Sequence, residues 1–136
     1  MTKARTNASA SPAVGRNMII NGAMNVAQRA TSVTGHGNST HYLTCDRWEI
    51  NQNNSTGRST VTQTADGPNG ISANCLKIDC TTADTSTHAD EIFNIRQKIE
   101  GQNLQRIGKG VAGAKQITVS FDLQIFELKL NTHLLQ

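Results

Sequence analysis

Apolar residues in this chain fall mostly at every second position, the period of a strand with one covered face. Residues 116–125 show it most clearly. Ile117, Val119, Phe121, Leu123 and Ile125 line one side, and Thr118, Ser120, Asp122 and Gln124 the other. The phase then slips, because Phe126, Leu128 and Leu130 alternate in the opposite register with no turn residue between. That slip predicts a bulge or corner at Ile125–Phe126, with a short helix over 121–130 as the other reading. Residues 72–80 form a second alternating run, Leu76, Ile78 and Cys80 against Cys75, Lys77 and Asp79. Residues 59–64 group Val61 with Gln63 among threonines, a composition that favours strand. Residues 42–50 read as a strand with Trp48 and Ile50 on one face and Arg47 and Glu49 on the other. Residues 91–100 fit both periods: Ile92, Ile95 and Ile99 at helical spacing, or Phe93, Ile95, Gln97 and Ile99 at strand spacing. The strand reading is preferred.

Between these runs the chain is punctuated. Residues 17–27 suggest two short extended pieces bent at Asn21-Gly22, and 31–41, with Gly35, Gly37 and Asn38, read as a loop. Asp66-Gly67-Pro68-Asn69-Gly70 is the strongest turn signal. Asn103 to Ile107 looks like one helical turn, capped by Asn103 and ended by Gly108. About seven short strands separated by turns predict an all-β fold, an antiparallel sandwich over residues 17–136. Residues 1–16, broken by Pro12 and Gly15, read as an extended N-terminal arm.

Composition narrows the function. The apolar share is 36%, below the usual globular value, so the core must be thin. Lys3, Arg5 and Arg16 account for the whole net charge of +3, leaving the rest of the chain balanced. A neutral body argues against specific nucleic-acid binding, which needs a basic face for the phosphates. No apolar run is long enough to cross a bilayer, and the first sixteen residues lack the apolar stretch of a signal peptide. Three cysteines, Cys45, Cys75 and Cys80, do not make a closed disulfide framework. Cys75 and Cys80 would point to opposite faces of their strand, which argues against pairing them. The four histidines are dispersed, so neither a metal nor another cofactor is expected. There is no GxSxG elbow, no phosphate-binding GxxxxGK[ST] loop, no HExxH and no EF-hand loop. An enzymatic role is therefore not expected.

Two stretches carry a resemblance. The first is Asn17-Met-Ile-Ile-Asn-Gly-Ala-Met-Asn-Val-Ala-Gln28-Arg29, followed after a loop by Tyr42 and Asp46-Arg47-Trp48. The second is Ile95-Arg-Gln-Lys-Ile99-Glu100-Gly-Gln-Asn-Leu104-Gln-Arg-Ile, followed by Lys115-Gln-Ile-Thr118-Val-Ser120-Phe121. Together they resemble a family of phage virion and tail-fibre modules with a jelly-roll-like sandwich. The resemblance covers roughly residues 17–121. Ala27 and Ala30 stand where that pattern commonly has an aromatic and a glycine, and the chain leaves it after Phe121, as though the sandwich were incomplete. The resemblance implies a structural component of a tail fibre or related virion appendage, assembled in the host cytoplasm as a homo-oligomer beside other virion subunits. Three-fold symmetry would suit a fibre. A module binding host surface glycans, and a capsid decoration or connector protein, are the alternatives.

Candidate contacts follow. Gln28, Arg29, Tyr42, Asp46, Arg47 and Trp48 are candidate ligand or subunit contacts, each weighed against a plain packing role; for Trp48 core burial is the stronger reading. Lys3, Arg5 and Arg16 of the arm, and Phe126, Leu128, Leu130, Leu134 and Leu135 of a docking segment over 122–136, are candidate assembly contacts. Several apolar side chains on a thin domain are costly to leave in water, at about 1.5–3 kcal/mol each.

Overall fold

The computed structural model describes residues 17–68 and 72–125. The arm, with Lys3, Arg5 and Arg16, and the residues Phe126, Leu128, Leu130, Leu134 and Leu135 lie outside the described residues.

The fold is all-β, as expected: among the described residues, two antiparallel three-stranded sheets in a sandwich-like arrangement, with one short 3-10 helix. The strands are β1 (Ser32–His36), β2 (Ser39–His41), β3 (Glu49–Asn53), β4 (Arg58–Thr64), β5 (Cys75–Thr82) and β6 (Ile92–Arg96). One sheet has the order β1-β4-β5 and the other β2-β3-β6. Only Gly37 and Asn38 separate β1 from β2, so those two edges adjoin; β5 and β6 are the remaining edge strands of their sheets.

Directly paired residues share a face, so the ladders identify what points inward. Val61 is opposite Val33 and Ile78, and Ser59 is opposite His36 and Cys80. In the second sheet Ile50 is opposite His41 and Ile95, and Gln52 is opposite Ser39 and Phe93. Among the described residues the buried apolar core is small: Val61 at 0% exposure, Ile50 at 1% and Cys45 at 1%. His36, Thr44, Gln52 and Ser59 are buried with them. This is the thin, polar core that the composition implies. All three cysteines are free; burial pushes the Cys45 thiol up, while Cys80 is exposed.

Residues 59–64, 72–80 and 91–100 each hold a strand close to the expected place. Several expectations need correction. Residues 31–41 are not a loop but β1 and β2; their propensity is poor, and pairing with β4 and β3 supplies the order. The register of β1 shifts between Val33 and His36, where Gly35 adopts φ 70°, a bulge that small residues accommodate. The strand read over 42–50 begins only at Glu49, because Arg47 sits at φ 73° and Trp48 N–H donates to Cys45 O (3.2 Å), breaking the alternation. Residues 17–27 contain no strand, only a turn in which Met24 N–H donates to Asn21 O (3.1 Å). Residues 116–125, the clearest alternating run, pair with no strand among the described residues. Six strands stand among the described residues, beside the about seven expected.

The 3-10 helix spans Gly101–Ile107; Glu100, not Asn103, occupies its N-cap, and Gly108 ends it at φ 64° as expected. At the 65–68 turn, glycine is required by a close approach: a Cβ on Gly67 would lie under 3.0 Å from Ser72 O and from the backbone of Asn74.

Candidate functional site

Residues 17–30 have no regular structure, yet they strap the ends of both sheets through hydrogen bonds. Gln97 grips the backbone of Ile20 from both sides: Ile20 N–H donates to Gln97 Oε1 (2.8 Å) and Gln97 Nε2 donates to Ile20 O (2.7 Å). Ser72 Oγ donates to Ala23 O (2.6 Å), and Asn74 Nδ2 donates to Asn25 Oδ1 (2.9 Å).

Asn21 is the hub. It adopts φ 55°, a left-handed conformation that Asn tolerates better than other non-glycine residues. Its Oδ1 accepts from Val26 N–H (3.0 Å), and its Nδ2 donates to Val26 O (2.9 Å) and to Asp46 O (2.9 Å). Its own carbonyl accepts from Trp48 Nε1 (2.9 Å). Asp46 N–H in turn donates to Val26 O (2.8 Å). The Ile-Asn-Gly and Asp-Arg-Trp pieces are thus two halves of one knot.

Beside the knot lies an open cleft of about 610 Å³, lined by Gln28, Arg29, Tyr42, Asp46, Arg47, Lys98, Ile99 and Glu100. Five of the six candidate contacts meet there. The sixth, Trp48, does not line the cleft; it is half-buried, with its indole tied to Asn21. Sequence reasoning passed over Lys98 and Ile99 as individual contacts, although both lie inside the second stretch of the resemblance.

The cleft's carboxylates are already occupied. Asp46 Oδ1 accepts from Gln28 N–H (3.3 Å) and lies 3.5 Å from Arg29 Nη1. Glu100 accepts from Arg47 Nη2 (3.0 Å) and Gln102 Nε2 (3.2 Å); the Arg47 guanidinium, then Gln102, holds its carboxyl below the usual range. Next to the cleft, Glu49 is buried and accepts from Arg96 Nε and from Lys98 Nζ (3.0 Å). Those two hydrogen bonds, Arg96 first, lower its pKa. The cations retain spare donors: Arg29 is 58% exposed and Lys98 65%. Both also stand over the Tyr42 ring, Arg29 at 5.6 Å and Lys98 at 6.0 Å from its centroid. Chemically, this is an aromatic ring flanked by two cations with unused hydrogen-bond capacity, able to hold a solute rich in oxygen acceptors.

A second polar cluster is structural. Asp84 accepts from Ser55 Oγ (2.5 Å), Thr56 N–H (2.8 Å), Thr56 Oγ1 (2.7 Å) and Ser86 N–H (2.9 Å), which pull its pKa far down. It pins the loop after β3. Among the described residues no three His, Cys, Asp or Glu side chains gather as a metal site would need.

No family model, curated protein or solved structure matches this chain.

Proposed function

We propose that this chain is a structural component of a phage virion, part of a tail fibre or related appendage, which holds its neighbours through sheet edges and not through chemistry. The observation that carries the assembly reading is the apolar surface left exposed at sheet edges among the described residues. At the β5 and β6 edges, the inward-facing Cys80, Phe93 and Ile95 are exposed, and further along the chain Ile117, Val119, Phe121, Leu123 and Ile125 are exposed as well. Exposed apolar surface of that extent on a small body marks contact with other subunits. The virion setting comes from the resemblance. It is supported by the way its separate pieces, Asn21, Asp46-Arg47-Trp48 and Gln97 to Glu100, interlock through hydrogen bonds and ion pairs. The test is to tag the full chain during infection and image purified particles. The tag is expected at the appendage in several copies per particle; particles that assemble fully without it would refute the reading.

A second reading, a host-attachment module binding surface glycans, is favoured by the cleft. Its spare cationic donors beside Tyr42 suit saccharides bearing carboxylates. On a glycan array, Arg29→Ala and Tyr42→Ala are each expected to weaken binding by about tenfold, a loss of about 1.4 kcal/mol, with the circular dichroism spectrum unchanged. Absence of binding by the parent chain to any acidic glycan removes this reading.

A further inference from the structure

Among the described residues, 117–125 have the alternation of a strand but no sheet, and β6 is a sheet edge with no strand beyond it. Residues 117–125 carry five apolar side chains on one face, from Ile117 at 51% exposure to Phe121 at 81%, and four polar ones on the other. Such a row costs free energy in water and has the alternation that a half-covered strand requires. Its backbone is unpaired among the described residues; the last tie before it is Lys115 N–H donating to Ile107 O (2.7 Å). On the body, β6 is an edge strand. Its Phe93 and Ile95 share the inner face with buried Gln52 and Ile50, yet are 51% and 46% exposed. On the other open edge, the inward Leu76 and Ile78 of β5 are already half-buried, so β6 is the less covered of the two.

Resting on the assembly reading above, we propose that residues 117–125 of one copy pair along the free edge of β6 in a second copy. The second copy is the fitting occupant because, among the described residues, each chain carries one unpaired alternating segment and, in β6, one edge whose large inward apolar residues are exposed, so donor and acceptor come in equal number. Each copy then supplies what the next lacks, and a reciprocal exchange between two copies leaves no segment unpaired. Main-chain hydrogen bonds along β6 give the attachment. The row Ile117, Val119, Phe121, Leu123 and Ile125 covers Phe93 and Ile95, and Thr118, Ser120, Asp122 and Gln124 face water.

The test uses the full chain and two variants that alter only exposed side chains: a donor variant, Phe121→Asp with Leu123→Asp, and an acceptor variant, Phe93→Asp. Light scattering of the parent across the micromolar range is expected to give a whole-number multiple of the 14.7 kDa chain mass. Amides of 117–125 should be slow to exchange only in the associated form. Each variant alone is expected at the single-chain mass with its strand spectrum retained. A mixture of the two should recover a species of twice that mass, since an intact donor meets an intact acceptor. A parent that stays at single-chain mass overturns the proposal, as do variants that associate like the parent or slow exchange of 117–125 in the monomer. Failure of the assembly reading looks different: copies would exchange strands in solution while the tagged chain is missing from purified particles.

Discussion

Replacing Asn21 with alanine is expected to lower the stability of the fold by about 2–4 kcal/mol. Two causes add. Alanine at φ 55° costs roughly 1 kcal/mol or more in backbone strain. The three side-chain hydrogen bonds to Val26 and Asp46 are each worth about 0.5–1.5 kcal/mol net, towards the lower end where they are exposed to water. For a domain of this size the change corresponds to a fall in Tm of roughly 8–15 °C. Asn21→Gly separates the causes, since it removes the strain but not the lost hydrogen bonds, and should recover about 1 kcal/mol of the deficit. Trp48 is the sole tryptophan and its indole N–H donates to the Asn21 carbonyl, so its fluorescence reports the same knot. A variant whose Tm and Trp48 emission both match the parent would mean that Asn21 does not hold these segments together.

Ile50→Ala is the other large effect, at about 2–5 kcal/mol. Ile50 is one of only three buried apolar residues among those described, so few neighbours can close over the space it leaves. Against a total stability of about 5–15 kcal/mol, this brings the domain near unfolding. Ile50→Val, which removes one methylene, should cost about 0.5–1.5 kcal/mol. Phe121→Ala is the counterpart: at 81% exposure it should stay within about 0.5 kcal/mol when measured at dilution. Urea denaturation of the three variants checks the order. Equal losses for Phe121→Ala and Ile50→Ala would place residue 121 in the monomer's core.

The sequence was most readable where β-branched residues alternate between turn signals, as in β4 and β5, and at Gly108, whose positive φ ends the 3-10 helix. It misled where order comes from a partner strand. Ser32–His36 and Ser39–His41 share a single large aliphatic residue, Val33, and show no apolar alternation; their ladders to β4 and β3 make them strands. The reverse holds for 116–125, which has the best alternation and no ladder among the described residues. Periodicity records which face a strand would bury, not whether a neighbour is present to bury it. In the cleft, the residue types at Tyr42 and Asp46-Arg47 were visible in the sequence. The left-handed turn at Arg47, which keeps Trp48 out of the cleft and ends the predicted strand, was not. Nor was Glu49, whose partners Arg96 and Lys98 lie 47 and 49 residues away.

The two sheets are interleaved along the chain: β1 waits for β4, and β2 and β3 wait for β6. As the polypeptide leaves the ribosome, the first sheet can be completed once Thr82 has emerged, whereas the second stays a bare hairpin until Arg96. Ile50 and Ile95, which end up opposite one another, are made far apart in time. No cleavage point between β1 and β6 yields a fragment holding both sheets intact. The region from Ser32 to Arg96 is therefore expected to form slowly and as one cooperative unit, in milliseconds to seconds, as long-range β pairings do.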